Sequence, residues 1–409
     1  MKTVNGTFDA SRVRIAGPLA PNLEGFDVEL RRLGYADTSA KIQLELVAHL
    51  SRWMAGEGVP VSGLTDEVTR AYLTARRVAG YTYMRSTKAL RPLLGYLRRL
   101  SVAPMPAEAV APPTAVEVLL DRYRDYLTGE RRVTAKTARD YVDVVRPFLA
   151  DRLRDGAMVL APPVTSADVS RFVLAECRRR NPRSAQGMAT AMRSLLRYLH
   201  VEGLLAHSLV GAVPVVARRQ QALPRGVAPV TVQRLLESCD HGPAGRRDLA
   251  ILVVLARLGL RCAEVAALRL DDLDWGRGEI VVAGKGNRRD RLPLPVDVGE
   301  ALVSYLRSGR PAGALDRCVF VRVKAPHTGL SPVGVTQVVV SAARRAGLGW
   351  LTAHRLRHTA ATGMLAAGAP LAEIGQVLRH QRPYTTAAYA RVDLVALRPL
   401  GRAWPGGAA

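Results

Sequence analysis

The sequence predicts a mainly α-helical protein with a small antiparallel β-sheet or hairpin confined to its C-terminal domain. Three observations carry that expectation. Apolar residues recur at helical spacing in the N-terminal half, as in Leu90, Leu93, Leu94 and Leu97. The one clear hairpin pattern sets Glu279-Ile-Val-Val-Ala283 and Arg291-Leu-Pro-Leu-Pro295 either side of the turn Gly284-Lys285-Gly286-Asn287. A chain of 409 residues with 48% apolar content has room for two or three separate cores.

Residues 1–105 read as an N-terminal helical domain, 106–215 as a second helical domain, and 216–409 as the C-terminal domain with a tail. The two helical domains echo each other. Ala89-Leu-Arg-Pro-Leu-Leu-Gly-Tyr-Leu97 aligns with Ala191-Met-Arg-Ser-Leu-Leu-Arg-Tyr-Leu199, and Thr65 with Thr165. Each copy predicts about four helices: a Ser/Thr-capped helix (38–54 and 134–151), a helix opening at Thr65 or Thr165, and a final Leu-rich helix. The repeat suggests that 25–100 duplicates the unit at 114–205. The Pro- and Ala-rich run 101–113 predicts an extended spacer, and 213–226, with Arg218 and Arg219, a basic strap.

In the C-terminal domain, helices are expected over 231–237 and 245–258, the hairpin over 279–295, and a short strand over 319–323. Thr352 is placed to N-cap the helix bearing His354, Arg357 and His358. Gly368-Ala-Pro370 ends that helix and starts 371–378, and after Pro383 a short helix over 385–392 presents Tyr389. The tail from Val392 carries an apolar patch at Leu394-Val-Ala-Leu397.

These residues suggest chemistry on a phosphodiester. A phosphodiester under attack gathers negative charge on its non-bridging oxygens, and guanidiniums answer it because they stay charged and fork onto two oxygens. Arg261 and Arg357 are the candidates. A Tyr phenol, Tyr389, is a candidate nucleophile that conserves the bond as a phosphotyrosine. Lys285, at a hairpin tip among other cations, is a candidate acid for the leaving oxygen. Taken singly these residues have plainer readings: Arg261 and Glu264 as a surface ion pair, Lys285 as a solvated turn, Tyr389 as a helix aromatic, with Tyr384 a rival nucleophile. His354 and His358 have zinc spacing, but Arg355 stands where a metalloprotease has Glu, and no metal is expected.

The ordered set resembles the tyrosine recombinase (phage integrase) family. Leu258-Gly-Leu-Arg261-Cys-Ala-Glu264-Val resembles the first arginine box, His354-Arg-Leu-Arg357-His358 the His-x-x-Arg box, and Leu378-Arg-His380 with Tyr389 the closing box. The resemblance is strong over 216–395 and looser over 114–205, the place of the family's core-binding domain. It implies a C-shaped DNA clamp and cleavage in which Tyr389 takes the 3′ phosphate and frees a 5′ hydroxyl. Arg261, Arg357 and His380 would hold the phosphate, Lys285 would be the general acid, and His354 would assist proton transfer from the phenol. Glu264 and His358 would be supporting residues. One departure stands out: the family usually has Gly before the third-box His, and here it is Arg379.

Composition agrees with a DNA partner. The formal net charge is +24, and residues 216–409 hold 28 Lys and Arg against 14 Asp and Glu, more than half of the excess. Arg218, Arg219, Arg288 and Arg289 are candidates for contacts to the DNA backbone. Four scattered cysteines and no signal-like or membrane-length apolar run fit a cytoplasmic, nucleoid-associated protein. The expected partners are double-stranded recombination sites, bound as a homotetramer without cofactor or membrane; accessory or sister recombinases are left open. The alternatives are type IB topoisomerase-like relaxation and a DNA-binding regulator with a decayed site.

Overall fold

The computed structural model describes residues 15–106, 114–150, 160, 163–216, 226–284, 288–379, 386, 387 and 389. They form two compact units, one made of 1–106 together with 222–409, the other of 107–221. Helices dominate both, with a single three-stranded antiparallel sheet among the described residues.

The N-terminal helices are α1 (Leu23–Arg32), α2 (Asp37–Gly56), α3 (Asp66–Val78) and α4 (Thr87–Arg99). α1 packs on α2 and α4, and α3 on α4, around Phe26, Leu44, Leu50, Leu73, Leu90 and Leu97. The 107–221 unit has α5 (Ala115–Gly129), α6 (Ala135–Ala150), α7 (Ser166–Arg179) and α8 (Pro182–Val201). Its core gathers Leu120, Tyr123, Val142, Val173, Met192 and Leu196. Both sets open their third helix with the same device: Thr65 accepts from the Val68 N–H and Thr165 from the Asp168 N–H. Each cap satisfies one of the N–H groups that a helix start leaves unpaired.

The C-terminal part is built round α10 (Pro243–Arg257), preceded by α9 (Pro229–Glu237). Every residue from Ala250 to Ala256 is buried, so this stretch of α10 is apolar on all sides and must be enclosed. It is covered by α12 (Val296–Ser308), α13 (Pro332–Arg345) and α14 (Ala353–Ala366). The short α11 (Cys262–Ala267) leads into the sheet β1 (Leu273–Asp274), β2 (Glu279–Ala283) and β3 (Arg289–Pro293). β2 pairs with both neighbours, Leu273 facing Ile280 and Val281 facing Arg291. Ile280, Val282 and Leu292 point into the core, as period-two alternation requires. α15 (Leu371–Val377) follows the Gly368 turn, where φ is +86°.

Three expectations need correction or completion. No strand forms over 319–323; the segment makes only one isolated bridge, Val321 with Gly329, beside another just before it, Cys318 with Arg269. Its apolar run is explained by burial of Val319, Phe320 and Val321 in the core rather than by a ladder. Thr352 occupies the N-cap of α14 with extended backbone, but its side chain makes no capping bond. β1 adds a strand to the expected hairpin, and a two-residue strand has no period that a sequence could display. The spacer at 107–113, most of the strap and the tail lie outside the described residues. No described helix is long and apolar enough to cross a membrane.

Candidate active site

Arg261 sits at the N-cap of α11, in extended backbone that turns its side chain out of the core. Glu264, one turn on and 6% exposed, accepts from the Arg261 backbone N–H at 2.7 Å and from its guanidinium at 2.6 Å. The carboxylate therefore fixes the arginine by two points and leaves the rest of the fork uncommitted to it. Burial pushes the Glu264 pKa up, but the Arg261 N–H and the Arg379 guanidinium outweigh it and hold the group below its ordinary value.

Arg357 lies on α14 and is 3% exposed. Its two terminal nitrogens donate to the backbone carbonyls of Gly259 and Leu378. Gly259 has φ +59°, and a Cβ there would lie 2.7 Å from Leu378, so the turn before Arg261 demands glycine. This ties three sequence motifs together: the first box supplies one carbonyl, the third supplies the other, and the second supplies the arginine. Burial, and then the positive charge of Arg261, lower the Arg357 pKa to about 10. It still carries its charge near neutrality.

Tyr389 is 3% exposed and packs with Ala361, Ile374 and Leu378. Its hydroxyl lies 2.7 Å from Nδ1 of His358, and the two rings meet edge to face. His354, one turn earlier on α14, meets the His358 ring edge to face with centroids 4.4 Å apart. Burial first, then His354 and Arg357, lower the His358 pKa to about 4, so its ring is neutral near pH 7. Burial raises the phenol pKa while Arg357 pulls it down. The imidazole that meets the phenol oxygen is thus His358, whereas the family resemblance gives that task to His354. The i, i+4 spacing puts both on one face; only the approach of Tyr389 selects between them.

The remaining candidates divide. Lys285, His380, Arg218 and Arg219 lie outside the described residues, as does the rival Tyr384. Arg288 is exposed at the start of the returning strand. Arg289 donates to the buried carboxylate of Asp272, which also accepts from the Arg269 N–H at 2.9 Å. It anchors the hairpin base as much as it faces solvent. Among the described residues no group of three His, Cys, Asp or Glu could hold a metal ion. Arg379 is the residue whose placement the sequence leaves open: its guanidinium is buried and donates to Glu264 at 2.6 Å.

The phage integrase family matches residues 227–394, the span from α9 through Tyr389. A Sinorhizobium fredii protein described as an integrase/recombinase, y4rA, is 40% identical over 98% of both chains. The chain belongs to the phage integrase family. The tyrosine recombinase XerD of Mycobacterium tuberculosis is 32% identical, covering 70% of this chain and 96% of its own. A lambda integrase tetramer bound to a Holliday junction shares the fold, with TM-score 0.54 and 16% identity over 80% of this chain and 90% of that one. As a phage integrase family member the protein is a site-specific recombinase that breaks and rejoins DNA strands.

Proposed function

We propose that this recombinase cuts DNA by attack of the Tyr389 phenol on a phosphodiester held by Arg261, Arg357 and His380, with Lys285 protonating the 5′ leaving oxygen. The observation that carries the reading is the 2.7 Å contact between the Tyr389 hydroxyl and His358, the residue next to the buried Arg357 on α14. Neutral His358 receives the phenol proton as the phosphorus–oxygen bond forms, and His354 buttresses His358. The bond that breaks is the one to the 5′ oxygen, and the 3′ phosphotyrosine stores its energy for rejoining. Arg357 and Tyr389 are each 3% exposed, so contact with a phosphodiester requires a local rearrangement at both.

The helical sets α1–α4 and α5–α8 both grip the duplex in this reading, the first as a duplicate of the second. The shared helix order and the matching Thr65 and Thr165 caps support the duplication. A cleft of about 660 Å³ lined by Arg77, Arg85 and Lys88, with no acidic residue in its lining, suits a phosphate backbone. The protein acts as a homotetramer on two recombination sites, as the lambda integrase tetramer sits on a Holliday junction, in the cytoplasm with the nucleoid. Accessory proteins or sister recombinases would add directionality.

The deciding experiment incubates the wild type and Tyr389→Phe with nicked duplexes drawn from the DNA flanking the gene. A detergent-resistant protein–DNA adduct forms with the wild type and is absent from the variant. An adduct that survives Tyr389→Phe would overturn the assignment and move the nucleophile to Tyr384.

A further inference from the structure

Arg379 occupies a backbone position that arginine disfavours. Its φ is +53°, in the left-handed region that costs a side-chain-bearing residue free energy and costs glycine none. The side chain is nonetheless 6% exposed and reaches inward across the end of α15 to Glu264, itself 6% exposed, at 2.6 Å. A second nitrogen donates to the Val377 carbonyl at 3.1 Å, while the Nε–H is buried with no hydrogen-bond partner among the described residues. A strained backbone, a desolvated guanidinium and an unpaired donor are three separate costs at one residue. Packing alone would favour a glycine here.

What the arrangement achieves is visible at Glu264. Oxygen Oε1 accepts from the Arg261 guanidinium, and Oε2 accepts from both the Arg261 backbone N–H and Arg379. Without Arg379, Oε2 keeps only the backbone donor, and the carboxylate is free to turn further onto the Arg261 fork. With Arg379 in place, half of the carboxylate's charge is answered from behind. Two guanidiniums then answer one carboxylate from opposite oxygens, while Arg357 donates to the Gly259 and Leu378 carbonyls instead.

We infer that Arg379 is a positioning residue for strand cleavage: it occupies the rear oxygen of Glu264 so that Arg261 keeps its free nitrogens for the scissile phosphate. The inference rests on the proposed role of Arg261 as a phosphate clamp. It differs from a phosphate contact by Arg379 itself, because the side chain acts through Glu264.

The test compares full-length wild type, Arg379→Gly, Arg379→Lys, Glu264→Gln and the Arg379→Gly/Glu264→Gln double variant in two measurements. The first is single-turnover adduct formation on a nicked duplex, beside the dissociation constant for the same DNA. Arg379→Gly slows adduct formation about 10- to 100-fold, with DNA affinity held within about threefold. Arg379→Lys recovers part of the rate, and in the Glu264→Gln background the glycine costs less than it does alone. The second is thermal unfolding, which requires no chemistry. Arg379→Gly and Glu264→Gln shift the melting temperature non-additively, because they remove two ends of one pair.

Wild-type cleavage rates in Arg379→Gly, or additive rate losses in the double variant, overturn the inference. A loss confined to DNA affinity overturns it too, since that would make Arg379 a direct phosphate contact. Should Arg379→Gly not fold, Arg379→Lys and an Arg379→Lys/Glu264→Gln double variant decide in its place, and additive rate losses between them refute the role. If melting shows the coupling but the wild type forms no Tyr389-dependent adduct, the cleavage reading fails and takes the positioning role with it. If the adduct forms normally and melting is additive, only the Arg379 inference fails.

Discussion

At the scale of single residues, the site works by setting charge against burial. His358 has its pKa lowered from 6.5 to about 4 by desolvation, assisted by His354 and Arg357. Its folded-state pKa therefore lies below its unfolded one, and between those values the unfolded chain binds more protons than the native one. The contribution of His358 to stability is complete above about pH 6.5 and is lost as pH falls toward 4. Thermal melts at pH 7, 6 and 5 are expected to show the wild type weakening faster than His358→Asn on acidification. Parallel pH dependences would show that the ring is not desolvated. The same substitution slows adduct formation by about 100-fold or more if His358 takes the phenol proton. The sequence makes both histidines of α14 visible; it does not show which one meets Tyr389, because their partner arrives from 31 residues downstream.

At the scale of elements, the hairpin is a lever whose base is pinned. Asp272, 6% exposed, holds the Arg269 N–H and the Arg289 guanidinium, while the Arg289 side chain is 63% exposed. The Arg289 end of this pair is open to water and is worth at most about 1 kcal/mol, so what Arg289 contributes is the aim of β2 and β3 rather than stability. Arg289→Ala is therefore expected to melt within a few degrees of the wild type yet cleave more slowly. Lys285→Ala should slow cleavage of ordinary DNA by about 100-fold or more. A substrate whose 5′ leaving group is sulfur needs no proton and should restore both variants. Equal losses on the two substrates would remove Lys285 from the role of acid, and rescue of Lys285→Ala alone would show that the Asp272 anchor acts on something other than the acid. The hairpin itself is readable from alternation around a Gly-rich turn. Its anchor is not, since Asp272 and Arg289 are 17 residues apart with nothing in their spacing to join them.

For the whole molecule, charge is the controlling quantity. A net charge of +24 draws the protein to any duplex, and sequence-independent binding of this kind weakens with salt in proportion to the phosphates neutralised. If the Arg77, Arg85 and Lys88 cleft grips the backbone, the triple alanine variant lowers the slope of log affinity against log salt by about 2 to 3, at roughly 0.9 for each phosphate left without its cation. Titration of DNA binding between low and moderate salt reads that slope directly. An unchanged slope would leave α1–α4 without a DNA contact at this cleft. Tyr389→Phe should keep the wild-type slope, because the phenol carries no charge to the duplex.

The sequence by itself determined the helical class, the two third-helix caps, the hairpin and the ordered Arg, His and Tyr boxes, because each rests on local periodicity or on residues close in the chain. Tertiary structure alone decided how the boxes meet. Arg357 from the second box is seated on carbonyls of Gly259 and Leu378 from the other two, and Arg379 crosses to Glu264 over 115 residues of chain. It also decided that Val319–Val321 is buried without a ladder, and that Thr352 stands at a helix start without capping it. The reason is physical: hydrogen bonds to backbone carbonyls and buried ion pairs join groups by proximity in space, and local pattern holds no record of such partners.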